Sequence, residues 1–285
     1  MEDTIGTAVV TGADGGMGSQ ISLEMAAAGY HLVMLCYDKQ SGEARKDLIT
    51  NATGNRRIDV YQVDLSSMPS IVEVTKRLRA DLKGIDLLMN NAGTMCTHRQ
   101  NTQEGFERTV AVNYLAPFLL CNRLLPLMKR GSRIVNMVSC TYAIGRVGEH
   151  FFTQGSECST FWRIPIYSNT KYALWMFTYE LSQRLKDQGI TVNAADPGVV
   201  STAIIHMDMW FDPLTDIFFR PFIRTPRQGA DTAIHLLLDR DKAGITGQMY
   251  ASGKLRKVAA QYTDRTRSSK LWADTEEQLK AFLIE

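Results

Sequence analysis

Short apolar runs alternate with amphipathic segments along nearly the whole chain, and that alternation constrains the fold more than any single motif. Residues 4–10 read as a buried strand. The next segment carries Met17, Ile21, Met25 and Ala28 on one stripe, with Gly29 as its stop, which predicts a helix. The reading continues as a strand over 31–36, a helix over 41–52 and a strand over 58–63. Ser70 and Glu73 then have capping-box spacing, ahead of an amphipathic helix through Ile71, Val74, Leu78 and Leu82 to Gly84. A strand over 85–89, a long helix over 104–129 and a strand over 133–139 follow. After Tyr167 a helix carries Leu174, Phe177, Leu181 and Leu185 on one face, and strands at 190–194 and 247–251 complete the series. Strands alternating with helices predict an α/β fold, a doubly wound parallel sheet of about seven strands covered by helices on both faces. In such sheets ligands bind outside the carboxyl ends of the strands.

The first strand runs into Thr11-Gly12-Ala13-Asp14-Gly15-Gly16-Met17-Gly18. Glycines there permit positive φ and a close backbone approach, and the following helix N-terminus offers free N–H groups to a pyrophosphate. The turn therefore points to dinucleotide binding. Further on, Tyr167 and Lys171 stand four residues apart on a helix, so they share a face. An ammonium beside a phenol favours the phenolate, which suits the pair to proton transfer at a hydroxyl or carbonyl.

Composition narrows the classes. The 285 residues are 45% apolar and 22% charged, with a net charge of +2 and no long run of one sign, which argues against nucleic-acid binding. The five cysteines form no C-x-x-C pair, so neither a zinc site nor a disulfide framework is expected, and a reducing, cytoplasmic setting is. No signal peptide or transmembrane helix is expected. Cys140 has no patterned histidine partner to make it a nucleophile, and His206 with Asp208 lacks a third metal ligand.

Taken together, the motifs resemble those of the short-chain dehydrogenase/reductase family over nearly the whole chain. Thr11, Gly12, Gly16 and Gly18 match its T-G-x-x-x-G-x-G, Asp64-Leu65 its adenine-contacting pair, and Asn90-Asn91-Ala92-Gly93 its N-N-A-G. Asn113, Ser139, Tyr167 and Lys171 fall at the positions of its catalytic residues, and 197–202 match its P-G-x-V-x-T. Tyr167 lies 28 residues beyond Ser139, and that gap, with 221–230 and Leu271-Trp272, is similar to the retinol dehydrogenase/protochlorophyllide reductase-like branch. The resemblance implies a single three-layer Rossmann-fold domain over 1–285 that transfers hydride between a nicotinamide and a carbonyl or alcohol carbon. It makes Tyr167 the general acid/base and Lys171 the group that lowers the tyrosine pKa and holds the nicotinamide ribose. Ser139 would hold the substrate oxygen, and Asn113 would interrupt its helix to position a water. Gly12, Asp14, Gly16, Met17, Gly18, Tyr37, Asp64, Leu65, Asn91, Ala92 and Gly93 would contact the cofactor, together with Pro197, Gly198, Val200 and Thr202. A homodimer or homotetramer is implied as well.

The end of the second strand reads Cys36-Tyr37-Asp38-Lys39. A neutral Cys36 does not repel a 2′-phosphate and Lys39 offers a cation, so NADP(H) is expected ahead of NAD(H). Aromatic residues crowd two loops at the catalytic end. One, 140–166, holds Tyr142, Phe151, Phe152, Phe161 and Trp162; the other, 203–226, holds Met207, Met209, Trp210, Phe211, Phe218 and Phe219. They predict a pocket for a bulky lipophilic, steroid- or retinoid-like substrate, with peripheral membrane contact as another use of the second cluster. Reduction of a C=C bond and a non-catalytic sensor are the competing readings. Asp196, next to Pro197-Gly198, reads as a strand-end carboxylate or as a residue tuning substrate charge.

Overall fold

The computed structural model describes residues 5–200 and 224–284. Its strands are β1 (Thr7–Thr11), β2 (His31–Cys36), β3 (Ile58–Gln62), β4 (Ile85–Asn90), β5 (Met128–Met137), β6 (Thr191–Asp196), β7 (Met249–Ala251) and β8 (Lys254–Arg256). They form one sheet in the order β3-β2-β1-β4-β5-β6-β7-β8. The order reverses between β1 and β4, the point at which doubly wound sheets open a ligand crevice. Seven strands are parallel. The eighth corrects the sequence expectation: β8 returns antiparallel to β7 across Ser252-Gly253, whose φ values of 53° and 70° suit a tight hairpin turn.

Side chains of one strand alternate between the two faces. Val9, Leu88, Ile134 and Val192 join the core under the helices Met68–Asp81 and Arg163–Arg184 and the helical stretch 108–124. Val10, Met34, Met89 and Ala195 join the core under the helices Gly16–Ala27 and Pro226–Leu238. Burial on both faces explains why these strands read as unbroken apolar runs.

Two helix starts differ from their sequence reading. The cap of Met68–Asp81 is Ser67, whose hydroxyl accepts from the Ser70 amide at 3.3 Å, with Pro69 in the first turn. Ser70 instead accepts from the Asp64 amide at 3.0 Å, tying the end of β3 to the helix. The long helix begins at Arg108 rather than 104, because the Glu107 carboxylate caps it by accepting from the Val110 amide at 2.9 Å. It gives way to a short 3-10 turn, Leu125–Leu127, containing Pro126, and β5 starts at Met128 where a helical turn was expected.

The helix Arg265–Gln278 packs over the outer side of the 108–124 and Arg163–Arg184 helices. Trp272 lies 4.7 Å from the Phe118 ring and stacks on Phe177 at 5.8 Å, while Thr275 shares a 2.6 Å hydrogen bond with the Tyr114 hydroxyl. The stretch Arg108–Leu127 is long and apolar enough to cross a membrane, but it is 72% buried inside the protein, as a core helix is.

Candidate active site

The glycine turn and the end of β4 are locked together. Gly12 has φ +58° and donates its amide to Leu35 O at 2.8 Å. Asn91 Nδ2 donates to Thr11 O at 3.0 Å and to Gly12 O at 3.3 Å. The Thr11 hydroxyl accepts from the amides of Asn91 and Ala92, both at 3.0 Å. Gly18 follows in the first turn of the Gly16–Ala27 helix, where a Cβ would come within 1.9 Å of Gly12 O. This closeness brings the helix N-terminus, with its unpaired first-turn amides, against the turn. A cavity of about 200 Å³ opens beside it, lined by Gly12, Asp14, Tyr37, Asp64, Leu65, Ala92 and Gly93 among others. The glycine cradle and this cavity fit the adenosine and pyrophosphate end of a dinucleotide. Arg108 also lines the cavity. Sequence reading missed it, since an arginine at a helix start carries no motif.

Other expected cofactor residues hold the walls. Met17 and Val200 meet across Gly229, where an added Cβ would stand 2.9 Å from Met17 Sδ and 2.6 Å from Val200 Cγ2. Cys36 is fully buried, and burial with the neighbouring Asp14 carboxylate pushes its thiol up to about 12. Asp38 caps the Lys39–Thr53 helix by accepting from the Ser41 amide at 2.6 Å, while Tyr37 is 65% exposed. Gly198 has φ +75°, and its amide donates to Asp196 Oδ1 at 3.0 Å. Thr202, His206, Asp208 and the aromatic cluster from Met207 to Phe219 lie outside the described residues.

Asn113, Ser139, Tyr167 and Lys171 converge beyond the carboxyl ends of β4, β5 and β6. Residues Ala111–Leu115 form a π turn, the local widening that often marks functional positions in helices. It carries Asn113 inward, fully buried, where Nδ2 donates to Thr94 O at 2.8 Å and Thr170 Oγ1 at 3.1 Å. Its Oδ1 accepts from the Thr94 amide at 2.7 Å. An asparagine facing solvent would make none of these bonds. Lys171 is 3% exposed and its Nζ donates to Met137 O at 2.8 Å. The ammonium lies 5.4 Å from the Tyr167 ring centroid. Gly93 borders both groups: a Cβ there would be 3.4 Å from Asn113 Oδ1 and 3.5 Å from Lys171 Nζ.

The electrostatics differ from the expectation of a lowered tyrosine pKa. Burial pushes Tyr167 up to about 12, against a smaller downward pull from its hydrogen bond with Ser139. Burial brings Lys171 down to about 8, countered by the Asp196 carboxylate. The Tyr167 ring keeps some exposed surface, but its hydroxyl is set among protein atoms, and desolvation is the largest influence on it. Near pH 7 the pair is therefore a neutral phenol beside a charged lysine.

Two of the rings expected to wall a pocket in the 140–166 segment turn inward instead. Phe151 is 1% exposed and packs edge-on to Tyr114 at 5.6 Å, with Phe152 against it at 5.3 Å. Tyr142 is buried beside Tyr262 at 5.5 Å. Phe151 and Tyr142 are core, while the half-buried Phe152 lines a cavity of about 1160 Å³ together with residues 143–149. The open apolar groups of the segment are Ile144, Trp162 and Ile164, 67%, 61% and 52% exposed, the last two shortly before Tyr167 in the chain.

The family model described as short chain dehydrogenase matches residues 6–208. The chain belongs to the short-chain dehydrogenase family. It is an NAD(P)-dependent oxidoreductase with the fold expected of that family. Human retinol dehydrogenase 11 is 34% identical over 277 residues, covering 93% of this chain and 82% of the relative. Human retinol dehydrogenase 13 is 31% identical over 276 residues, covering 94% and 83%. Among solved structures, an uncharacterised protein from Mycobacterium paratuberculosis superposes with a TM-score of 0.77 at 25% identity, covering 97% of this chain and 94% of that one. A protein from Beutenbergia cavernae, assigned as an NAD(P)-dependent gluconate 5-dehydrogenase and holding NADP at low occupancy, gives 0.69 at 25% identity, covering 87% and 95%.

Proposed function

We propose that this short-chain dehydrogenase interconverts a carbonyl and an alcohol on a bulky lipophilic substrate of retinoid or steroid type, with Tyr167 as general acid/base. The observation that carries the reading is the convergence of Asn113, Ser139, Tyr167 and Lys171 next to the glycine turn. The nicotinamide, when bound, supplies or accepts the hydride. In reduction, Tyr167 gives its proton to the substrate oxygen as the adjacent carbon gains hydride; in oxidation it takes that proton back. Ser139 donates a hydrogen bond to the same oxygen. Lys171 holds positive charge beside the phenol, and Asn113 anchors the floor of the site through Thr94 and Thr170. The whole chain acts as one catalytic domain.

The named activity of the two retinol dehydrogenases and the exposed Trp162 and Ile164 support a lipophilic substrate. Turnover of a retinoid aldehyde, a steroid ketone and a small polyol should be compared. The first or second is expected to react at least tenfold faster in kcat/KM, and a preference for the polyol would refute the reading.

NADP(H) is the proposed cofactor, with NAD(H) second. The NADP bound to the Beutenbergia cavernae protein supports the order, and a KM for NAD below that for NADP would reverse it. Tyr37 is exposed at the β2 end, so Tyr37→Arg should place a guanidinium against a 2′-phosphate. Binding of 2′,5′-ADP, measured by calorimetry, is expected to tighten about tenfold, with binding of 5′-AMP little changed.

A cytoplasmic location with peripheral membrane contact is proposed from the free cysteines and the apolar 207–222 sequence, and cell fractionation with liposome pelleting checks it. Self-association as a dimer or tetramer is proposed as well. Because Arg265–Gln278 covers much of the two central helices, pairing would use other surface, and solution mass measures it.

A further inference from the structure

Asp196 ends β6 and is 2% exposed. Its two oxygens do different work. Oδ1 accepts from the Gly198 amide at 3.0 Å, which shapes the Pro197-Gly198 turn. Oδ2 accepts from Arg256 Nη1 at 2.6 Å, and the Arg256 guanidinium lies 5.5 Å over the Tyr142 ring. Arg256 reaches this place because the Ser252-Gly253 turn folds β8 back along β7. The same hairpin grips the turn from a second point. Arg224 Nη2 donates to Ser252 Oγ at 2.6 Å while its Nη1 donates to Pro197 O at 3.2 Å. Two guanidiniums thus tie the β7–β8 hairpin to the Pro197-Gly198 turn, beside Tyr167 and Lys171.

A carboxylate this buried needs a partner, because leaving water penalises its charged form. Arg256 is that partner, and it is 35% exposed at the side chain while Asp196 is almost wholly inside. The pair is therefore lopsided: the negative end faces inward and the positive end faces out.

We propose that Asp196 and Arg256 are positioning residues of this active site, an ion pair that fixes the Pro197-Gly198 turn and sets the electrostatic field at Tyr167 and Lys171. The inference rests on the catalytic reading given above and extends it to residues 60 positions apart in the chain. Among the described residues, the titratable and charged groups around the pair are Tyr167 and Lys171 on their helix, Cys140 and Tyr142 following β5, Arg224 at the Pro197-Gly198 turn and Tyr262 against the Tyr142 ring. Asp196 favours the charged lysine and disfavours the phenolate. Removing its charge should release the Lys171 proton at lower pH. Removing Arg256 should do the opposite, because the inward carboxylate is then left uncovered.

The test compares Asp196→Asn, which keeps an acceptor for the Gly198 amide, with Arg256→Gln and Arg256→Lys. Lysine side-chain NMR of the isotopically labelled protein, with Lys171 assigned from a Lys171→Arg sample, reads its titration without turnover. Activity against pH is recorded in parallel. The Lys171 midpoint and the alkaline limb of activity are expected to fall by roughly half a pH unit or more in Asp196→Asn and to rise in Arg256→Gln, with Arg256→Lys near the parent. Midpoints unchanged in both charge-removing variants, or moved in the same direction, overturn the proposal. If Asp196→Asn does not fold, the contrast between Arg256→Gln and Arg256→Lys alone decides it. The underlying catalytic reading fails separately, if Tyr167→Phe keeps parental turnover, and the NMR midpoints still test the ion pair in that case.

Discussion

Tyr167→Phe is expected to lower kcat by about a hundred- to ten-thousandfold, with the melting temperature held within about 2 °C of the parent. The substitution removes one hydroxyl and leaves the ring. The ring keeps its 5.4 Å contact with the Lys171 ammonium, and Lys171 keeps its 2.8 Å bond to Met137 O. What disappears is the proton donor beside Ser139. Single-turnover reduction separates this loss from cofactor binding, which should be unchanged. Activity within tenfold of the parent would remove Tyr167 from the proton path. The parent enzyme should also show a pH signature with a definite sign. Tyr167, pushed up to about 12, stays protonated through the neutral range and can donate. Lys171, brought down to about 8, is charged below that pH and neutral above it. Its support for the developing phenolate is therefore present at pH 6–7 and lost as pH rises through about 8. Reduction should fall on that alkaline side rather than on the acid side.

The same pair shows how far sequence reasoning reaches. Spacing on a helix placed Tyr167 and Lys171 on one face, and their ring contact agrees. Spacing says nothing about burial, and burial turned the expected fall in the tyrosine pKa into a rise. The strand 31–36 was legible to the residue, because a parallel strand buried on both faces leaves an unbroken apolar run. β8 was not, because Lys254-Leu255-Arg256 is a short, polar edge strand with no burial pattern. Its Arg256 finds Asp196 only through the fold. Phe151 illustrates the opposite error. Its loop composition suggested a pocket wall, while its partner Tyr114 lies in a distant helix and draws it into the core. Asn113 was readable as a helix interruption, but only the structure shows the interruption to be a π turn.

Gly18→Ala is expected to cost more than its single methyl suggests. The added Cβ would fall 1.9 Å from Gly12 O, 2.8 Å from Gly12 C and 2.7 Å from Asn91 Nδ2. Two of these three atoms are backbone, which cannot swing aside as a long side chain does. Relief must come from moving either the turn or the helix. The turn is held by the Gly12 amide on Leu35 O and by Asn91 on Thr11 O and Gly12 O, so moving it breaks the join between β1, β2 and β4. Moving the helix shifts its first amides away from the pyrophosphate position. Overpacking of this kind costs about 1–3 kcal/mol or more, and a displacement of about 1 Å at a positioned group can cost about a hundredfold in function. We expect dinucleotide affinity, measured by fluorescence titration, to fall by about a hundredfold, with a melting temperature several degrees below the parent. Gly15→Ala supplies the contrast within the same turn. Gly15 has an ordinary φ of −77°, and its nearest neighbour to an added Cβ is Gly12 O at 3.5 Å. It should bind dinucleotide within about threefold of the parent, because its methyl meets only ordinary contact. Equal damage at both positions would mean that flexibility of the loop matters more than the closeness of Gly18 to Gly12. Damage at Gly18 alone would show that the motif's last glycine is required for space, where the helix start meets the end of β1.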